Sequence, residues 1–411
     1  MALISLGGFF EFYDLFFTGY IAPGLIRSGI LNPTTPGLFG STGIAGFAAA
    51  MFSGLFVGTA LVSFVADRFG RRSIFTYSLL WYTVASIAMA FQHDVLGLNL
   101  WRFLSGIGVG VELVTIDTYL AELVPANLRG RAFAINQTIQ FCAVPVVALL
   151  AWLLVPRTPF GLDGWRWVVL LAASGAIVVW WIRRRVPESP RWLAEHGSAQ
   201  KANQPRASLR QGFSEMWRPP YRTRSIMLVV FHLFQTVGFY GFSNWVPTLL
   251  IKRGIGVTTS LRYTFIIAIA APFGPLAAAA VADQLERKWQ IVLSALTVAV
   301  SGLLFGQTTA AALLIFFGVL LTLANNILSF SSHAYQAELY PTRIRALAVG
   351  FVYSWSRISV VFSSFVIGFF LDRFGAAGVF ALIAGSMLMV MLAIGLLGPR
   401  TNNLALEKIS S

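Results

Sequence analysis

Charge and cysteine are what this 411-residue sequence has least of, and each shortage excludes something. Charged residues make up 11% of the chain, against about 25% in a soluble domain. Hydrophobic residues make up 57% and the mean hydropathy is +0.73, so a water-soluble globular fold is excluded in favour of a membrane protein. The single cysteine, Cys142, rules out a disulfide framework and reads as a small core hydrophobe in an apolar helix. No Cys/His metal spacing, nucleophile elbow or phosphate-binding P-loop occurs. Neither an enzyme nor an ATP-driven pump is expected, and neither a metal nor a cofactor.

Acidic residues are also scarce, 16 against 30 basic ones, for a net charge of +14. Nucleic acid is excluded as a partner by where the basic residues fall. What fills the chain is a series of apolar runs of about 20 residues, each able to cross a bilayer core. They read as 3–25, 41–65, 74–91, 96–120, 132–155, 165–184, 226–250, 262–282, 290–306, 310–334, 346–370 and 377–398, about twelve helices. The first lacks a basic leader and is interrupted by acids, so it reads as a span and not as a cleaved signal peptide. Alternate loops hold Arg68, Arg71 and Arg72, then Arg129 and Arg131, Arg183 through Arg224, Arg287 and Lys288, and finally Arg343 and Arg345. The opposite loops hold a scattering, among them Arg27, Arg157, Lys252 and Arg253. This positive-inside asymmetry predicts an integral protein of the plasma (inner) membrane, embedded in the lipid bilayer, with both termini cytoplasmic.

The helices divide six and six about a polar, proline-containing stretch. The expected organisation is an N-terminal six-helix bundle over 1–185, a cytoplasmic linker over 186–224 and a C-terminal six-helix bundle over 225–411. ADRFGRR at 66–72 recurs as ADQLERK at 282–288, and AELVPANLRGRA at 121–132 recurs as AELYPTRIRALA at 337–348. Both pairs share one offset (282 − 66 = 337 − 121 = 216), which points to a duplicated unit. Where such repeats meet, near the bilayer midplane, transporters place their substrate sites.

These residues resemble a known group. The loop A-D-R-x-G-R-R, the run from Arg102 to Gly110 (R-x-x-x-G-x-G-x-G) and PESPRWL at 187–193 resemble signature motifs of the major facilitator superfamily. G-x-x-E-F-Y-D-L at 8–15 with G-V-E-L at 110–113 is similar to the metabolite:proton symporters, and the Y-D-x-x-x-x-G run to the aromatic-acid:proton symporters. PESPRWL also resembles the loop of the sugar porters and organic-ion transporters. Ser63 and Glu286 depart from the loop motif, each standing where glycine is usual. The fold implied is all-α and polytopic, twelve transmembrane helices in two pseudo-symmetric bundles. The resemblance further implies gating charges that latch the halves on the cytoplasmic side: Asp67 with Arg71 and Arg72, Glu122 with Arg129 or Arg131, Asp283 as the repeat of Asp67, and Glu338 with Arg343 or Arg345.

The few ionisable residues at bilayer depth face a cavity or a partner. Arg357 lies about eleven residues into the eleventh span, near the midplane by rise per residue. Its planar guanidinium suits a carboxylate, so it is the expected substrate-anion anchor. The other reading is an arginine paired permanently with an acid on a neighbouring helix. Asp14, Glu11 and Glu112 are the expected proton-coupling acids, Asp14 first, with Arg102 as the cation that competes with the proton. A permanent salt bridge is the other reading, best suited to Glu112. Gly106 and Gly110 read as close-packing positions. In the second half, Gln235 and Gly238 stand where Glu11 and Asp14 do in the first. Tyr13, Gln235, Tyr240, Asn244, Asn325 and Trp355 are expected to line the substrate site, and His333 reads as a structural residue. The functional expectation is a proton-coupled importer of a small organic anion, a mono- or aromatic carboxylate, acting as a monomer with the proton gradient as driving ion. Its rivals are a carrier of cations, zwitterions or sugar-type solutes, an anion exchanger, and a sensor built on a transporter scaffold.

Overall fold

An apolar run in lipid must satisfy its own backbone N–H and C=O groups, and the α-helix does so within one segment. The computed structural model describes the backbone at residues 2–32, 43–69, 71–124, 129–183, 209–281 and 285–401. Side chains are described there except at 2–4, 60–69, 71–72, 75, 113–123, 129–131, 183, 209–210, 281, 342–343 and 346. The described residues form helices and connections, with no strand among them.

The helices are α1 (Ala2–Arg27), α2 (Gly43–Phe69), α3 (Arg71–Ala90), α4 (Val95–Leu123), α5 (Arg129–Phe141), α6 (Ala143–Leu154) and α7 (Gly164–Arg183). A short amphipathic α8 (Leu209–Met216) follows. Next come α9 (Tyr221–Ser243), α10 (Val246–Lys252), α11 (Val257–Ala268), α12 (Phe273–Val281), α13 (Arg287–Gln307), α14 (Ala311–Glu338) and α15 (Thr342–Leu397). Among the described residues seven stretches are long and apolar enough to cross a membrane, from Ala132–Leu154 to Leu347–Leu397. Helices α1 to α4, of 26, 27, 20 and 29 residues, are also long enough to span.

Helix α15, at 56 residues, is two spans joined at Gly375, whose φ of +66° and ψ of −167° turn the chain back where a side chain would be strained. The total is twelve transmembrane helices in two six-helix bundles. Several spans that read as continuous in the sequence are broken. The 132–155 span divides at Cys142, three residues before Pro145, and the 226–250 span divides at Asn244–Trp245, just before Pro247. A third break separates α11 from α12 beside Pro272. In each case the missing proline N–H removes a rung of the helical ladder.

In the first bundle α4 packs on α2 and α3, and α7 packs on α1 and α3; in the second, α15 packs on α9 and α13. Glycine sets the α2–α4 seam. A Cβ on Gly106 would sit 2.3 Å from the Met51 carbonyl oxygen, and one on Gly54 would sit 2.0 Å from that of Phe103. The bundles meet where α2 touches α15, where α5 and α6 touch α12 and α11, and where α1 touches α10.

Candidate functional site

The two acids of α1 are both buried but serve different neighbours. Asp14 lies between α3 and α4. Arg102 of α4 donates from Nη1 to its Oδ2 at 2.8 Å, and from Nη2 to its backbone oxygen and to the Thr18 hydroxyl, both at 2.6 Å. Ser86 donates to Oδ1 at 2.7 Å and Ser105 donates to Oδ2 at 3.0 Å. Phe17 covers the guanidinium at 4.2 Å from its ring centroid, and Arg102 is fully buried. This is a desolvated, charge-assisted network in which the carboxylate is answered on both oxygens. The α3–α4 packing that carries Ser86 and Ser105 builds it.

Glu11, one turn earlier, is fully buried and feels the second bundle, lying in the electrostatic field of Arg357 and Tyr240. Glu112 is also fully buried, ten residues and about 15 Å along α4 from Arg102.

Arg357 lies between the bundles on the wall of a cavity of about 90 Å³. Helices α1 (Phe12, Leu15) and α5 (Gln137, Gln140, Phe141) form one side. The other side comes from α9 (His232, Gln235, Thr236, Phe239, Tyr240), α14 (Ser329, Ser332, His333) and α15 (Tyr353, Ser356, Arg357). Arg357 is 4% exposed, donates from Nη2 to the Tyr353 hydroxyl at 2.8 Å, and lies 4.8 Å from the centroid of that ring. Its Nε has no hydrogen-bond partner, and it forms no ion pair among the described residues. With Tyr353 as its hydrogen-bond partner and Glu11 acting on it electrostatically from beyond ion-pair distance, the guanidinium keeps donors available to an anion.

The sequence expectations divide accordingly. Arg357, Gln235 and Tyr240 come together on the cavity wall. Tyr13 does not: its hydroxyl donates to the Val168 carbonyl at 2.9 Å inside the first bundle. Asn244 caps α9 where Gly19 of α1 approaches its backbone, and Asn325 donates to the Gly238 carbonyl at 3.3 Å between α14 and α9. Trp355 packs against Phe351, away from the cavity. His333, read from sequence as structural, lines the cavity together with His232, which the sequence reading missed. A polar side chain deep in an apolar span was the available signal for His232, and equally for Gln137 and Gln140.

The gating charges are partly described. Asp283 lies outside the described residues, as do the side chains of Asp67, Arg71, Glu122 and Arg129. Glu338 pairs with Arg287 at the start of α13. Of the two partners expected for Glu338, Arg345 donates from Nε to the Tyr340 carbonyl at 3.1 Å, five residues back, and the side chain of Arg343 lies outside the described residues; the described pair of Glu338 is with Arg287 instead.

The chain matches the family model described as Sugar (and other) transporter over residues 1–411. It is 31% identical to YyaJ of Bacillus subtilis (strain 168), over 96% of this chain and 90% of that one. Identity is 28% with the niacin transporter NiaP of Acinetobacter baylyi (strain ATCC 33305 / BD413 / ADP1), covering 99% and 95%. Among solved structures, a partially occluded inward-open conformation of the xylose transporter XylE from E. coli superposes with a TM-score of 0.80 at 18% identity, covering 98% of each chain. A D-xylose-proton symporter gives 0.78 at 19% identity, covering 97% of each. A twelve-helix fold in two bundles, a buried ionic network in one and an arginine-bearing cavity between them agree with the match along the whole length: the chain belongs to the sugar (and other) transporter family of the major facilitator superfamily.

Proposed function

We propose that this transporter imports a small organic anion, a mono- or aromatic carboxylate, together with a proton by alternating access. The observation that carries the reading is Arg357, buried on the wall of the inter-bundle cavity with no carboxylate at ion-pair distance among the described residues, Glu11 acting on it only through the field. A neutral solute would leave that guanidinium without a carboxylate at contact distance, whereas a substrate carboxylate supplies one. Aromatic rings on the same wall favour a flat apolar body. The niacin transporter among its relatives supports the same class, niacin being a pyridine carboxylate. The xylose-proton symporter lends support to proton coupling, and to a sugar-type cargo as the second reading, for which the cavity's glutamines and serines would serve as hydroxyl partners.

In this scheme Asp14 exchanges the proton. Arg102 occupies its carboxylate in one state; once Arg102 withdraws, a buried carboxyl is free to take a proton. Glu11, in the field of Arg357, and Glu112 are the further acids of the pathway. The bundles 1–185 and 225–411 rock about the cavity, with 186–224 as the cytoplasmic linker and both termini cytoplasmic. Asp67 with Arg71, Glu122 with Arg129, and Asp283 form the cytoplasmic latch, and the Glu338 region, with Arg345 beside it, supports the second-bundle side. The working unit is a monomer in the plasma (inner) membrane.

The test is uptake of a radiolabelled carboxylate such as benzoate by the purified protein in liposomes, with an inward proton gradient. Accumulation that a protonophore abolishes and that carboxylates but not quaternary amines or xylose inhibit is the expected result. Inhibition by amines or xylose alone overturns it.

A further inference from the structure

The polar groups around the cavity include a chain of hydrogen bonds whose direction fixes an imidazole tautomer. Nε2 of His232 lies 2.9 Å from Oε1 of Gln336, and Nε2 of Gln336 lies 3.3 Å from Nδ1 of His333. An amide oxygen accepts and an amide nitrogen donates. With the Gln336 amide in this orientation, His232 carries its proton on Nε2 and donates it to Gln336, while Nδ1 of His333 accepts. In the neutral His232 ring, Nδ1 is left as a bare lone pair.

That nitrogen has no hydrogen-bond partner among the described residues, and His232 is 3% exposed. A buried acceptor without a donor is uncommon in a native interior and calls for an explanation. This one belongs to a residue that lines the same cavity as Arg357. The two are linked through Tyr353, whose hydroxyl takes the Arg357 bond and whose ring meets His232 edge-on, centroids 5.3 Å apart.

We propose that His232 is a second recognition point of the substrate site, accepting a hydrogen bond at Nδ1 from a hydroxyl on the transported anion. The substrate class is then a hydroxycarboxylate: the carboxylate on Arg357, the hydroxyl on His232. A cationic amine would also supply a donor, but it would meet the Arg357 charge in a low-dielectric setting and be repelled. The proposal rests on the reading of Arg357 as the carboxylate anchor.

The experiment is competition against labelled benzoate uptake in liposomes by two matched pairs, lactate against propionate and 3-hydroxybenzoate against benzoate. The readout is the affinity ratio within each pair. The unmutated protein is expected to favour the hydroxylated member of at least one pair by about tenfold, the scale of one hydrogen bond to a buried partner. His232→Phe, which keeps an aromatic ring without a lone pair, should bring that ratio to one. His232→Asn, whose amide oxygen can take the place of Nδ1, should retain it, and His232→Gln, which reaches toward Gln336 instead, should lose it. The Asn and Gln pair keeps the test decisive if the Phe variant does not fold. A ratio of one in the wild type for both pairs, or a ratio that survives in the Phe or the Gln variant, overturns the proposal. In that outcome competition by benzoate and its loss in Arg357→Ala would leave the anion reading standing. If no carboxylate competes at all, both readings fall together.

Discussion

At the scale of single residues, two arginines at bilayer depth carry opposite assignments because of what answers them. Arg102 is closed around the Asp14 carboxylate, Thr18 and the Asp14 carbonyl, whereas Arg357 donates to a phenol and has no carboxylate at ion-pair distance among the described residues. Removing one member of a buried pair leaves the other charge uncompensated, at about 3–5 kcal/mol. Asp14→Asn is therefore expected to lower the melting temperature in detergent, and the double variant with Arg102→Gln should recover part of that loss. In proteoliposomes Asp14→Asn should still exchange substrate across the membrane but should no longer accumulate it down a proton gradient. Accumulation equal to wild type would remove Asp14 from the coupling. Arg357→Ala should weaken carboxylate affinity by thirtyfold or more, the scale of losing about 2 kcal/mol or more at a buried charge contact. Arg357→Lys keeps the charge but loses the planar fork, so it should fall between the two. Unchanged affinity in the Ala variant would move the anion site elsewhere.

At the scale of elements, helix contacts are set by the smallest side chains. Lipid supplies no hydrophobic drive between helices, so α2 and α4 associate by backbone approach at Gly54 and Gly106. Gly106→Leu would place its Cβ 2.3 Å from the Met51 carbonyl and force the pair apart. The expected loss is at least the 1–3 kcal/mol typical of overpacking, read as a lower melting temperature together with loss of uptake. Gly350, where an added Cβ meets nothing within 4 Å, is the control: Gly350→Ala should melt as wild type or slightly higher. The breaks at Asn244–Trp245 and beside Pro272 were foreshadowed by proline positions. Which helices would face one another across them was not, because hydropathy records depth in the membrane and not azimuth about the bundle.

At the scale of the whole molecule, the bundles meet along several helix pairs, and at one of them two backbones approach very closely. Gly19 of α1 lies so near the backbone of Asn244 that an added Cβ would be 1.7 Å from its carbonyl oxygen. Gly19→Val should prevent this approach of the two bundles, abolishing net uptake while leaving equilibrium binding of benzoate measurable by its effect on the melting temperature. Retained uptake would mean that this contact does not close during transport. The proposed proton symport also fixes a sign: initial uptake should rise as the outside pH falls at constant inside pH, and the dependence should flatten in Asp14→Asn.

The sequence by itself determined the medium and the plan. Low charge and recurrent apolar runs require helices in lipid, since nothing else there satisfies the backbone. The common 216-residue offset of two motif pairs (282 − 66 and 337 − 121) marks the duplication. It also picked out Arg357, Asp14 and Arg102 as charges that must have a reason to lie so deep. Arg102 is expected against an acid of the first helix; tertiary structure decided that the acid is Asp14 and not Glu11. Asp14 and Arg102 are 88 residues apart in the chain and 2.8 Å apart in space, a pairing that no local period encodes. Likewise His232 and Gln336 are 104 residues apart, and only the packing of α9 against α14 brings a hydrogen-bonded imidazole to the wall of the Arg357 cavity. The physical reason is that hydropathy and helical period act within a segment, whereas the partner of a buried polar group is chosen by how the segments pack.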